Sequence, residues 1–218
     1  MKKQIIAVSA IILLLGLMSS SVWAITIQEL TAKVESELTA IEDFRGVLTI
    51  NQVTGERTEE MKMQIGASQV LGIARLEVID HWLFEGMIFV ADQESAKVRT
   101  YTPILHQIMV GNIEDLGAEA GLALDFTDLT SVFDLQTLET ELVDIKHSDT
   151  GDVYVVRLSG VVDQVQYIWI DHQFRPYQLE VYEEERFVGS MILIDLVVNP
   201  GLTTQQLTDL PEVPEVRF

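Results

Sequence analysis

Residues 166–200, Gln-Tyr-Ile-Trp-Ile-Asp-His-Gln-Phe-Arg-Pro-Tyr-Gln-Leu-Glu-Val-Tyr-Glu-Glu-Glu-Arg-Phe-Val-Gly-Ser-Met-Ile-Leu-Ile-Asp-Leu-Val-Val-Asn-Pro, decide the fold. They read as strand, turn, strand, turn, strand: Tyr167 to Asp171, a turn at His172 to Pro176, Tyr177 to Tyr182, an acidic turn at Glu183-Glu184-Glu185, and Phe187 to Val198. β-Branched and aromatic side chains dominate, which suits a pleated ladder. In the last strand strict alternation places Phe187, Met191, Leu193 and Val197 on one side. Val188, Ile192, Ile194, Leu196 and Val198 then fall on the other. A strand apolar on both sides predicts that each face of its sheet is covered.

Working outward, the chain of 218 residues begins with Lys2 and Lys3, an apolar run from Ile5 to Met18, and the small residues around Val22-Trp23-Ala24. This pattern predicts a secretory leader cleaved after Ala24, because the run is short for a bilayer span. Residues 25–218 are then expected to form one domain in the periplasm. There is no cysteine, so neither a disulfide nor lipid attachment through an N-terminal cysteine contributes, and a packed core must hold the fold. The formal charge is −20, and loss of the leader removes two lysines and no acid. Such acidity argues against nucleic acid and against adsorption to anionic lipid headgroups. Solubility explains it most simply; a basic partner or a high-salt habitat are the other readings.

Upstream, Thr26 and Glu29 form a capping box for a helix from about Ile27 to Glu42, with Ile27, Leu30, Val34, Leu38 and Ile41 on one stripe. The period then changes to two. Phe44, Leu48, Ile50 and Gln52 share a strand face, and after a turn at Thr54-Gly55-Glu56 so do Met61, Met63 and Ile65. Further strands are expected at Leu71 to Ile79, Leu83 to Val90, Lys97 to Thr102, Leu105 to Val110, Leu142 to His147 and Val153 to Val161. Between them, 112–140 loses the alternation and reads as short helices inserted as a lid. The end of the chain, 201–218, is expected to be an extended tail with at most one short edge strand. The fold class is α+β, mostly antiparallel, with about ten or eleven strands in a strongly curved, unclosed sheet.

Chemistry-bearing motifs are few. His81, His106, His147 and His172 stand apart with no metal-ligand spacing, so no metal is expected. Asp80-His81 and Asp171-His172 are sequence neighbours, which in a strand point to opposite faces, and turn chemistry accounts better for Asp171. Nucleophile elbow, phosphate loop and dinucleotide fingerprint are all missing, and neither catalysis nor a cofactor is expected. What stands out is methionine on strand faces, Met61, Met63, Met87, Met109 and Met191. Thioether side chains make adaptable walls, although any single one could be plain core.

Ile50-x-Gln52, Asp92 followed by Tyr101-x-Pro103-x-x-x-Gln107, and Trp169-Ile170-Asp171 with Arg175-Pro176 together resemble the LolA-type family of periplasmic outer-membrane lipoprotein carriers and sorting proteins. The resemblance spans nearly the whole exported chain. It implies an unclosed barrel lidded by helices, holding the acyl chains of a lipoprotein or other lipid, received from an inner-membrane transporter and passed to an outer-membrane receptor. A lipid-sensing or protein-binding module on the same sheet is the alternative, and a monomer is expected. On this reading the wall comprises Leu48, Ile50, Met61, Met63, Ile65, Phe89, Trp169, Met191 and Leu193, and the lid supplies Leu122, Leu124, Phe126 and Phe133. The family's basic-proline step after the second strand is replaced here by Ile65-Gly66-Ala67-Ser68, which leaves Arg75 and Arg45 as candidate lid latches.

Overall fold

The structure is a computed structural model and describes residues 25–55, 57–113, 139–160 and 164–217. The expected lid residues Leu122, Leu124, Phe126 and Phe133 lie outside the described residues. Helix α1 (Ile27–Thr39) starts as anticipated: the Thr26 side chain accepts from the Glu29 N–H, and the Glu29 carboxylate accepts from the Thr26 N–H at 2.9 Å. Those bonds hold the Glu29 carboxyl below its ordinary range. Leu30, Val34 and Leu38 are its buried stripe.

Among the described residues twelve strands follow in one sheet: β1 (Asp43–Thr54), β2 (Arg57–Ser68), β3 (Ile73–Asp80), β4 (Ile88–Asp92), β5 (Lys97–Thr102), β6 (Gln107–Asn112), β7 (Glu139–Ser148), β8 (Gly151–Ser159), β9 (Gln164–Ile170), β10 (Pro176–Glu183), β11 (Arg186–Val198) and β12 (Glu215–Arg217). Their order is β12-β6-β5-β4-β3-β2-β1-β11-β10-β9-β8-β7, so the two edges do not meet. Every pairing is antiparallel except β12 on β6. The C-terminal tail is thus more structured than expected, adding both this edge strand and a short helix α2 (Thr204–Thr208).

The main core shows how the sheet bends. Residues of β2 and β3 (Met63, Ile65, Leu76, Val78) and of β8 and β9 (Val156, Leu158, Ile168, Ile170) belong to one buried cluster with Leu30, Val34 and Leu38 of α1. β3 and β9 stand five strand spacings apart, about 24 Å in a flat sheet. The sheet is curved rather than flat, and residues of both strands belong to one core with α1.

Two bulges in β11 overturn the alternation expected there. Arg45 pairs with Val197 and Val47 with Ile194, so Asp195 and Leu196 stand opposite the single residue Gly46. Asp195 takes a positive φ of 54°, and a Cβ at Gly46 would come within 3.1 Å of both the Leu193 Cδ1 and the Ile194 carbonyl oxygen. The bulge flips the phase, so that Leu196 and Val198 join Met191 and Leu193 against the main core. Ile194 and Val197 are left exposed, and the expectation that both faces of this strand are covered fails. At the other end a second irregularity puts Phe187 against the Tyr182 ring rather than beside Met191. The expected strand at Leu83 to Val90 also shrinks, because 81–87 form a turn.

Candidate functional site

The register assembles the helix-bearing face into rungs. One rung runs Val156, Ile168, Leu179, Met191, Ile50, Met61 across six adjacent strands, β8-β9-β10-β11-β1-β2. A second runs Leu193, Leu48, Met63, Val78 across β11-β1-β2-β3. Leu48, Met63 and Val78 of the second rung are buried. In the first, Val156 and Ile168 are buried while Leu179, Met191, Ile50 and Met61 are only partly covered. Every one of these side chains is apolar, so an apolar strip crosses the sheet, with the first rung incompletely covered on β10, β11, β1 and β2.

Eight of the nine expected wall residues therefore share one face: Leu48, Ile50, Met61, Met63, Ile65, Phe89, Met191 and Leu193 all belong to or pack on the main core. Trp169 does not. It pairs with Val155 and Gln178, one residue out of phase with Ile168, and lies on the opposite face. Leu179 is missing from the expected wall, although the alternation in Tyr177 to Tyr182 carries it in phase with Met191.

α1 is tied to the β9–β10 turn; the inserted segment that Arg75 and Arg45 are expected to latch lies outside the described residues at 114–138. The Arg175 guanidinium lies 3.6 Å from the Glu37 carboxylate, and the Lys33 ammonium sits 4.4 Å from the Phe174 ring centroid. Phe174 also stacks on Tyr154, 5.8 Å between centroids. Asp171 builds the turn that presents both residues, its carboxylate accepting from the N–H groups of Gln173 and Arg175 at 2.8 and 2.9 Å. Among the described residues Arg75 donates to the Asp209 carbonyl and pairs with Glu77 at 2.9 Å, holding the C-terminal tail. Arg45 is exposed and alternates away from Phe44 and the helix side.

The opposite face is divided. Over β3–β5, Ile73, Ile88 and Val90 form a second small core with Leu207 of α2, flanked by Leu202 and Leu210. Over β7–β10 a cavity of about 600 Å³ opens, floored by Val155, Val165, Tyr167, Trp169 and Tyr182. Lys146 reaches within 5.9 Å of the Trp169 ring centroid, and Tyr167 meets Tyr182 edge-on at 5.5 Å. The Tyr182 hydroxyl donates to Glu180 at 2.9 Å, which together with partial burial raises its pKa.

No constellation of acid, base and nucleophile converges on either face among the described residues. His147 and Asp152 meet at 2.7 Å, but on the exposed β7–β8 turn. His81 is buried with Nδ1 accepting from the N–H groups of Leu83 and Phe84 at 3.2 and 3.3 Å. The described residues contain no group of three or more metal-ligating side chains, and none of their helices is long and apolar enough to cross a membrane.

No family model and no curated protein matches the chain. Solved structures do. An uncharacterized conserved protein from Thermus thermophilus superposes with a TM-score of 0.61 over 88% of this chain and 98% of its own, at 15% identity. A LolA superfamily protein from Nitrosomonas europaea matches with a TM-score of 0.43 and 14% identity, covering 85% of this chain and 99% of its own. A putative outer membrane lipoprotein-sorting protein domain from Vibrio parahaemolyticus matches with a TM-score of 0.45 and 15% identity, covering 83% and 95%. The architecture found here is a single curved, unclosed, mostly antiparallel sheet with an N-terminal helix, and the Thermus protein shares that fold along nearly the whole length.

Proposed function

We propose that this chain is a non-enzymatic periplasmic carrier that holds the acyl chains of a lipoprotein or other lipid against the helix-bearing face of its sheet and moves them between membranes. The observation that carries the reading is the apolar rung across six strands whose members on β10, β11, β1 and β2, Leu179, Met191, Ile50 and Met61, are incompletely covered. An acyl chain laid along that strip would gain about 0.8 kcal/mol for each methylene withdrawn from water. Methionine at two of the four positions lets the wall adjust to chains of different shape. Binding is then non-covalent, and release needs only a receiver that holds the chain better.

Displacement of a fluorescent long-chain fatty acid analogue tests this. The Ile50→Ser/Met191→Ser double variant should weaken probe binding by about tenfold or more, because each serine removes apolar contact area and adds a hydroxyl to be desolvated. Trp169→Ala, on the opposite face, should leave probe affinity unchanged. Equal affinity in all three proteins, or no binding to any, would remove the carrier reading.

A further inference from the structure

Five large apolar side chains stand in water at one corner of the sheet, and no part of the main core needs them there. Trp82 is 81% exposed, Ile104 74%, Leu105 57%, Leu83 42% and Phe84 41%. They come from two separate turns, β3–β4 (81–87) and β5–β6 (103–106), at the same end of the sheet. The turns touch: Gly86, at φ 80°, lies so close to Pro103 that a Cβ on it would come within 3.2 Å of the ring. One continuous apolar tip results.

The tip is built rather than frayed. Within the first turn the Glu85 N–H donates to the His81 carbonyl at 3.2 Å, that of Gly86 to the Val78 carbonyl at 2.8 Å, and that of Met87 to the Phe84 carbonyl at 3.0 Å. The buried His81 ring stacks on Phe84 at 4.8 Å between centroids and ties down the Leu83 and Phe84 N–H groups. In the second, the His106 N–H donates to the Pro103 carbonyl at 3.2 Å. The turn backbone bonds to itself, so the tip offers no strand edge for pairing with another chain. Ordered turns that hold tryptophan, phenylalanine, isoleucine and two leucines outward have a reason to meet something apolar.

The geometry points to a lipid bilayer surface of neutral headgroups, which this tip enters shallowly. Five side chains of unlike shape project from a convex corner, which suits a fluid phase better than a groove on a protein. Tryptophan, the most exposed of the five, favours the headgroup boundary. Neither turn contains lysine or arginine, and Asp80 and Glu85 flank the apolar run, so anionic lipid would be repelled and zwitterionic lipid would not. The acidic turn Glu183-Glu184-Glu185 lies at the same end beyond β1, where the Arg186 side chain donates to the Gly55 carbonyl at 2.9 Å. That flank stays in water while the apolar corner dips, which tilts the sheet on the membrane. This inference stands apart from the acyl-binding strip, which uses different residues.

Co-sedimentation with phosphatidylcholine vesicles tests it. The purified chain should pellet with them, and Trp82→Ser/Ile104→Ser should cut the bound fraction by about tenfold or more while leaving the melting temperature unchanged, because neither side chain is part of the core. With residues 1–24, which include Trp23, removed, brominated phosphatidylcholine should quench fluorescence in Trp169→Phe but not in Trp82→Phe. Ile50→Ser/Met191→Ser should still pellet, which separates this result from the carrier test. A chain that stays in the supernatant, pelleting that survives the double variant, or light scattering in which Trp82→Ser/Ile104→Ser turns a dimer into a monomer would each overturn the bilayer assignment; the last would make the tip a contact between copies.

Discussion

The two faces of this sheet are made of the same strands and behave as different materials. On the helix-bearing face, residues from β1, β2, β3, β8 and β9 merge with α1 into one buried cluster, and the apolar character runs unbroken from β8 to β3. On the other, a small core under α2 gives way to exposed Ile194 and Val197 and then to an aromatic floor with Lys146, Arg157 and Glu180 around it. Alternation assigns each residue to a face, but covering decides what the face becomes. The first face stabilises the fold and the second tolerates change, and the contrast can be broken by substitution.

The largest effect belongs to Phe44. It is almost fully buried on the helix side of β1, paired with Ala67 and Val198, and no neighbouring strand can close over the space its ring would leave. Phe44→Ala should cost about 3–5 kcal/mol in urea unfolding. Trp169→Ala removes a still larger ring from the opposite face, where it is only partly covered, and should cost far less. If the two losses are equal, the division of labour between the faces is wrong.

Asp43 supplies the next test, because it joins the two faces at the sheet's end. Its buried carboxylate accepts from the N–H groups of Gly201 and Leu202 at 3.2 and 2.7 Å, anchoring the tail that carries α2. Beside it Asn199 accepts from the Glu42 N–H at 2.8 Å and donates to the Ala40 carbonyl at 3.3 Å, holding the end of α1. Asp43→Ala leaves two tail N–H groups without an acceptor and should destabilise by about 1–3 kcal/mol. Hydrogen exchange should show α2 and the small core under it loosening before α1 does. Loosening of α1 first would mean that the tail is not what Asp43 secures.

How much of this is legible from residues alone follows from the same contrast. The capping box of α1, the shared face of Phe44, Leu48 and Ile50, and the match of that face to Met61, Met63 and Ile65 rest on local periodicity, and periodicity survives folding. The phase of β11 does not, since the bulge at Asp195-Leu196 depends on Gly46 across the ladder, and a single strand carries no mark of its partner. Trp169 is expected on the wrong face because neighbouring Ile168 and Ile170 are also apolar, and a strand greasy on both sides gives no phase. The exposed tip reads in part as strand for a related reason: Trp82-Leu83-Phe84 has strand composition, and only His81 and Gly86, which close the turn, argue otherwise. Arg175 stands out as part of a motif, but its partner Glu37 is distant in sequence, so nothing local assigns it to α1.

That last contact makes the smallest and most pointed test, because it lies where the helix could leave the sheet. The Arg175–Glu37 pair is partly solvated and at 3.6 Å is long for a strong ion pair, so Glu37→Gln should lower global stability by no more than about 1 kcal/mol. Its effect on α1 should be larger in kind. The helix packs through Leu30, Val34 and Leu38, and near its last turn Glu37 and Lys33 meet the β9–β10 turn from the solvent side. Removing the charge should raise hydrogen exchange in the last turn of α1 at low salt while leaving β1 and β2 protected. Salt should erase the difference between wild type and variant, since screening weakens the pair that only the wild type has. If α1 instead exchanges together with the strands in wild type and variant alike, helix and sheet open as one unit, and on the proposed carrier reading an acyl chain would reach the Ile50–Met191 strip from the rim rather than beneath a lifting helix.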